Sequence, residues 1–377
     1  MTVPCTLREF LLYFLRLGAT GFGGPIALCG YMQRDLVEEK KWISKEDYLE
    51  GLALAQLAPG PLAAQLAIYL GWIRAGVTGA TLVALAFILP SFLMVIAISV
   101  LYLKFHGLPG IQGLFYGIGA AVIAVILRSA WKLLRTTLEK DALLWFVFVV
   151  NTALTAWLES EVVWAFLASG VLVLAARARL NKASAALAIP PWLLTGLQGP
   201  ATWGTVGTMA WFFTAAGAFI FGSGLAIVPF LYGGVVQQHH WLNDRQFLDA
   251  VAVAMITPGP VVITVAFIGY LVAGPVGAVV ASLGVFLPCY LFVIIPAPYF
   301  RKHSKRPHIQ AFVSGVTAAA TGAIAGAAFV LARRAIYDVP TLLIFIVTVA
   351  LLFRFKRIPE PLWFLAAGLV GLLIRGL

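Results

Sequence analysis

The segment carrying Trp42, Glu50 and Pro59-Gly60-Pro61 comes back without a gap 199 residues further on, as Trp241, Asp249 and Pro258-Gly259-Pro260. A chain that repeats itself in this way must pack two copies of one unit. The match extends outward through Gly18 and Gly217, Phe22-Gly23 and Phe221-Gly222, and Ala53 and Ala252. After one deletion the register becomes 198, which pairs Gly71 with Gly269, Gly79 with Gly277 and Pro90 with Pro288. The repeat therefore covers about 13–93 and 212–291, too long a period for a short-repeat solenoid and of the kind found in secondary transporters.

The chain is 62% hydrophobic and 11% charged, too little polar surface for a soluble protein of 377 residues, and apolar runs near the length of a membrane span recur throughout. The fold class expected is an all-α polytopic membrane protein with an inverted structural repeat. Arg8 and Glu9 interrupt the first apolar run, which argues against a removable signal peptide. The net charge of +11 comes from clusters in short loops: Arg128, Lys132 and Arg135; Arg177, Arg179 and Lys182; Arg301, Lys302, Lys305 and Arg306; Arg354, Lys356 and Arg357. Such clusters mark cytoplasmic loops, with the lipid bilayer rather than nucleic acid as the partner. Cys5, Cys29 and Cys289 are scattered and the five histidines are peripheral, so neither a metal site nor any cofactor is expected.

Ten spans are expected at about 9–33, 78–103, 110–131, 142–158, 162–177, 206–236, 275–298, 309–332, 340–353 and 360–375. Two further apolar stretches, about 46–76 and 244–273, are each cut by Pro-Gly-Pro. Two prolines around a glycine end one helix and start another, so each stretch reads as a re-entrant hairpin whose arms of roughly 18 to 23 Å reach only part way through a hydrocarbon core. Ser44 with Asp47, and Asn243 with Gln246, are start signals for the first arms. Tracing the basic loops along the chain puts the span at 78–103 and its partner at 275–298 in opposite directions, so the copies are inverted and the hairpins enter from opposite faces. Arg333 and Arg334 fall outside in this tracing, against the rule. The domains expected are a first repeat over 1–140, connecting helices over 141–204 and a second repeat over 205–377.

After Pro61 and Pro260 the second arms start with backbone N–H groups that lack helical partners, at Leu62, Ala63 and neighbours and at Val261 and Val262. Together with the helix dipole these make an anion site without a basic side chain. The bland alternative is that Pro59-Gly60-Pro61 and Pro258-Gly259-Pro260 only turn the chain. Gly23, Gly24 and Pro25 in the first copy, and Gly222, Ser223 and Gly224 in the second, interrupt the first span beside the tips, for close backbone approach or for tight packing. Gln56, Gln65, Thr257 and Thr264 lie near the tips as candidate donors to an oxyanion. Glu50 and Asp249 are an acidic pair preserved by the repeat, suited to relaying protons or to stabilising an arm near the interface. Arg16 has no repeat partner; it can balance a dianion or snorkel to the headgroups.

A duplicated membrane domain with Phe22-Gly23-Gly24-Pro25 and Pro59-Gly60-Pro61, echoed by Phe221-Gly222-Ser223-Gly224 and Pro258-Gly259-Pro260, resembles the chromate ion transporter (CHR) family in its two-domain form. The resemblance covers nearly the whole chain. It implies a multi-pass transporter, not an enzyme, of the bacterial inner membrane, which exports chromate, a sulfate-like dianion, and confers chromate resistance. The second copy departs from the motif, with Ser223-Gly224 where the first has Gly24-Pro25. The residues by themselves agree on an oxyanion and do not choose between chromate and sulfate; a sulfate transporter, a passive anion channel and a membrane redox enzyme are the alternatives. A homodimer is compatible with the sequence, which does not fix the oligomeric state.

Overall fold

The computed structural model describes residues 5–22, 24–105, 108–138, 141–158, 163–177, 203–219, 227–299, 307–355 and 360–375. Among these every element is helical. The first copy contains α1 (Leu7–Thr20), α2 (Gly24–Met32, continued as a π-helical stretch over Gln33–Glu39), α3 (Lys45–Leu57), α4 (Leu62–Phe105), α5 (Pro109–Thr137), α6 (Ala142–Leu158) and α7 (Val163–Arg177). The second contains α8 (Trp203–Phe219), α9 (Ile227–Leu231, continued over Tyr232–Gln238), α10 (Asp244–Ile256), α11 (Thr264–Ile294), α12 (Pro307–Ala335), α13 (Val339–Arg354) and α14 (Glu360–Arg375). Among the described residues the helices of the second half follow one another in the same order as those of the first.

The two copies also share their irregularities. Lys41 and His240, one repeat apart, are the two described non-glycine residues with positive φ, at 53° and 51°. α4 is interrupted at Ala75–Gly76 and α11 at Ala273–Gly274, with φ of 58° and 60° and ψ of −147° and −151° at the glycines. That region of backbone space is open almost only to glycine, so a glycine in each copy fixes where a short arm ends and a long helix begins. Beyond the break α4 continues to Phe105, a run of about 45 Å at 1.5 Å per residue, enough to cross a bilayer.

Hydropathy alone misjudges the first span of each copy, expected as a single crossing over 9–33 and 206–236. α1 ends at Thr20 and α2 runs back beside it: the Tyr13 hydroxyl donates to Asp35 Oδ2 at 3.2 Å, and the ring of Phe10, near the start of α1, lies 6.3 Å from that of Trp42, past the end of α2. In the second copy Phe212 of α8 likewise packs on Trp241, with ring centroids 5.7 Å apart. The chain thus folds back between α1 and α2, and α8 lies beside the segment that follows α9. A hydropathy window registers apolar residues whichever way the helix runs, and a reversal of a few residues escapes it.

The copies interlock rather than sit side by side. Glycines on α12 lie against backbone of the first copy, Gly315 at Ser169 of α7 and Gly322 at Phe148 of α6. Reciprocally, Gly117 of α5 lies against Ala367 of α14. A shared core of buried residues from both copies includes Phe14, Leu66, Phe87, Phe213, Phe247 and Phe267, while Leu144, Val147, Phe166 and Ala319 form a satellite beneath α6 and α7. At a helix start, Asp338 accepts from Tyr116 at 2.7 Å and pairs with Arg375 at 3.3 Å, joining α5, α13 and α14. Burial works to raise its carboxyl, but bonds from Thr341 and Tyr116 and the Arg375 charge outweigh it and hold it below the ordinary range. Arg334, which broke the charge rule, is paired with Asp244 at the start of α10 at 2.5 Å; its charge is balanced where it stands.

The outer face is apolar. Leu85, Leu89 and Leu93 of α4, one per turn, are 57%, 46% and 57% exposed, and their repeat partners Leu283, Leu287 and Leu291 are 61%, 55% and 38% exposed. An exposed leucine stripe of this kind is tolerated in hydrocarbon and not in water. Among the described residues three helical stretches, Leu62–Phe105, Gly110–Arg128 and Val261–Tyr299, are long and apolar enough to cross a membrane.

Gly18 and Gly217, one repeat apart, make matching close helix contacts, since a β-carbon on either would collide with a backbone carbonyl, of Phe87 in α4 and of Val285 in α11. Gly18→Leu and Gly217→Leu are each expected to cost at least about 1–3 kcal/mol of stability by overpacking, seen as a fall in the melting temperature of the detergent-solubilised protein. Gly30→Ala, with nothing within 4 Å of the added carbon, is the control and should melt no lower than wild type.

Candidate anion site at the two Pro-Gly-Pro turns

α3 begins at Ser44, whose hydroxyl accepts from Asp47 N at 3.0 Å, and ends at Leu57. α10 begins at Asn243, which forms a full capping box with Gln246 at 2.9 and 3.0 Å, and ends at Ile256. Between these helices and the next lie Pro59-Gly60-Pro61 and Pro258-Gly259-Pro260. Gly60 has φ of 140° and Gly259 of 103°, so each turn is made at its glycine. Pro61 acts as a cap, its carbonyl accepting from Gln65 N at 3.0 Å, so the amides of Leu62, Ala63 and Ala64 precede the first helical donor and have no acceptor within the helix. In the second copy Val261–Ile263 form one 3-10 turn, with Ile263 N donating to Pro260 O at 2.9 Å. The amides of Val261 and Val262 hold the corresponding place.

Each turn docks into the opposite copy. A β-carbon on Gly259 would overlap Ser91 Oγ of α4, and Gly259 N donates to Gly21 O at 2.9 Å, at the tip between α1 and α2. A β-carbon on Gly60 would lie 3.0 Å from Cys289 Sγ of α11. Ser91 and Cys289 are partners in the 198-residue register and play the same part: Ser91 Oγ donates to Gly18 O at 3.1 Å, and Cys289 Sγ lies 3.6 Å from Gly217 O. Sequence reading passed over both. The signal was there, because each directly follows a repeated proline, Pro90 or Pro288.

The candidate side chains divide. Gln65 is fully buried and folds over its own turn, Nε2 donating to Pro59 O at 2.6 Å, while Gln56, on the last turn of α3, is exposed. Thr257 Oγ1 donates to Val253 O at 2.7 Å and Thr264 Oγ1 to Val261 O at 2.8 Å, so in this conformation their protons are committed to backbone and they offer lone pairs. Gly24 and Pro25 open α2. Gly23, Gly222, Ser223 and Gly224 lie outside the described residues. Arg16 is exposed on α1.

The acidic pair is held unequally. Asp249 is buried and accepts from Tyr102 of the other copy at 2.6 Å, whereas half-buried Glu50 accepts from Tyr69 of its own copy at 3.2 Å. Tyr102 is a third residue that sequence reading missed, since its partner lies 147 positions away.

Duplicated helical halves, an apolar outer face and backbone turns enclosed by both halves define a multi-pass membrane transport protein. The chromate transporter family model matches residues 8–174 and again 207–372, and the chain belongs to that family. It is 60% identical to the chromate transport protein of Cupriavidus metallidurans over 372 residues, 97% of this chain and 93% of that one. It is 54% identical to a probable chromate transport protein of Synechococcus elongatus, covering 98% and 95% of the two chains, and 33% identical to the chromate transport protein of Pseudomonas aeruginosa, covering 98% and 93%. No solved structure matches the chain.

Proposed function

We propose that the chain is a secondary transporter of the bacterial inner membrane that exports chromate and so confers chromate resistance, and that the two Pro-Gly-Pro turns are the tips of re-entrant hairpins forming one shared oxyanion site. The observation that carries this reading is the reciprocal docking of the turns, Gly259 on Ser91 and Gly60 on Cys289. Helix starts brought together in a water-poor interior make a cradle for a tetrahedral anion from backbone amides alone.

The contacts along α4 support opposite entry. Gly79, at the near end of the long run, packs on Gly71 at the foot of the first hairpin. Ser91, twelve residues on, meets the tip of the second, and Tyr102, eleven further, meets Asp249 on its way back to the foot. The second hairpin therefore descends toward the end of α4 farthest from the first hairpin's foot. Two hairpins entering from opposite faces and meeting tip to tip are what alternating access requires: the halves rock about a fixed site.

Chromate as substrate is carried over from the names of the close relatives. Glu50 and Asp249 are proposed to couple transport to protons, and Arg16 to balance substrate charge when the halves move. The test is uptake of labelled chromate and sulfate into inverted vesicles, with and without a proton gradient. Saturable chromate accumulation that collapses with the gradient is expected. Flux that never exceeds equilibration would indicate a channel, and sulfate transport without chromate transport would replace the substrate.

A further inference from the structure

We propose that the species bound at the first turn is the protonated monoanion, hydrogen chromate, and that the side-chain carbonyl of Gln65 accepts the hydrogen bond from its hydroxyl. This rests on the chromate reading above and names the ionic form that reading leaves open. Gln65 has no exposed surface. Its Nε2 is spent on Pro59 O at 2.6 Å, and its Oε1 is buried with no hydrogen-bond partner among the described residues. The opposite amide orientation would set carbonyl against carbonyl, so the bond to Pro59 fixes which atom is left over. A buried acceptor without a donor is costly. One found beside the helix start at Leu62, packed over the turn glycine, signals a ligand that brings a proton.

Chemistry narrows that ligand. The amides of Leu62–Ala64 donate, whereas Gln65 Oε1 only accepts. A fully deprotonated tetrahedral oxyanion offers acceptors alone and would meet Oε1 with lone pair against lone pair. A singly protonated one offers a single donor with its remaining oxygens as acceptors, which matches the set. Chromate takes up a proton near neutral pH, while sulfate does so only in strong acid. Two dianions alike in shape and charge are thereby separated by protonation, because a site built around a hydrogen bond rejects the analogue that lacks the group. Thr264 stands in the place of Gln65 in the second copy, with its hydroxyl turned onto Val261 O. Its oxygen thus already has a hydrogen-bond partner, so the buried acceptor with no partner among the described residues stands at the first turn, and one protonated ligand is expected per chain.

Titratable and charged side chains on the elements packed against this stretch are otherwise engaged or turned away. Cys289 of α11 lies 3.0 Å from Val285 O, and Tyr48 of α3 donates to Cys29 O of α2 at 2.9 Å. Glu50 is held by Tyr69, Asp249 by Tyr102, and Arg16 is exposed.

The test is equilibrium binding and initial-rate uptake of chromate, with sulfate as competitor, from mildly acid to mildly alkaline pH, on the full-length protein. The dissociation constant for total chromate should rise about tenfold per pH unit above chromate's own titration, in proportion to the vanishing protonated fraction, and sulfate should compete poorly throughout. A titrating protein group would impose the same slope on sulfate, and that result overturns the proposal. Gln65→Leu should weaken binding about five- to tenfold at acid pH, the loss of one hydrogen bond, flatten the slope and let sulfate compete. Gln65→Met, of similar shape, repeats the test should the leucine variant fold poorly. A wild-type slope in these variants, as expected if only water satisfies Oε1, also overturns the proposal. Chromate transport without any of these dependences would defeat this inference alone; absence of chromate binding and transport at every pH would defeat the reading beneath it.

Discussion

Gly259→Ala is expected to abolish transport and to lower the melting temperature of the purified protein more than any other single methyl addition at the turns. Two costs fall on the same carbon. The backbone at Gly259 has φ of 103°, a region that costs a side-chain-bearing residue about 1–3 kcal/mol. The new methyl would also overlap Ser91 Oγ, and that hydroxyl cannot swing away without losing its bond to Gly18 O at 3.1 Å; overpacking of this kind adds about 1–3 kcal/mol more. Ser91→Gly combined with Gly259→Ala should recover the steric part and leave the backbone part, so the double variant should melt between the single variant and wild type. If Gly259→Ala instead melts and transports like wild type, the docked turn described above is wrong. Gly60→Ala should follow the same pattern more mildly, because the added carbon overlaps the Gln65 amide less deeply than a carbon on Gly259 overlaps Ser91 Oγ, and lies 3.0 Å from the Cys289 thiol.

The second large effect concerns the acidic pair and separates its members. Tyr102→Phe removes a bond that a buried carboxylate accepts at 2.6 Å across the two copies and should cost about 1.5–3 kcal/mol, the range for hydrogen bonds to charged groups. Tyr69→Phe, facing the half-buried Glu50 across 3.2 Å, should cost no more than about 1 kcal/mol. Transport should divide the same way, with Asp249→Asn losing most gradient-driven uptake and Glu50→Gln less. Unchanged pH dependence in both Glu50→Gln and Asp249→Asn would remove these two carboxylates from proton coupling and leave only the proton carried by the substrate. Tyr102 joins α4 of one copy to α10 of the other, so a change of protonation at Asp249 would act directly on the contact between the halves.

Much of the fold was legible because it is written locally and written twice. Pro59-Gly60-Pro61 and its echo lack the donors and the helical backbone that a continuing helix needs, Ser44 and Asn243 supply caps, and the 199- and 198-residue registers mark the two copies before any coordinate is known. The fold-back of α1 on α2 was not legible, because a reversal over a few glycine-rich residues leaves hydropathy unchanged.

The sequence by itself determined that this is a duplicated, helical, membrane-spanning chain with paired turns and paired carboxylates, since those properties depend on composition, periodicity and backbone chemistry within a few residues. Only the tertiary structure decided that each turn lies on a residue of the other copy, that Asp249 answers to Tyr102, and that Gln65 faces its own turn with one acceptor to spare. Those pairings join residues far apart in the chain, and close packing of two interlocked halves, rather than any local preference, selects which of them meet.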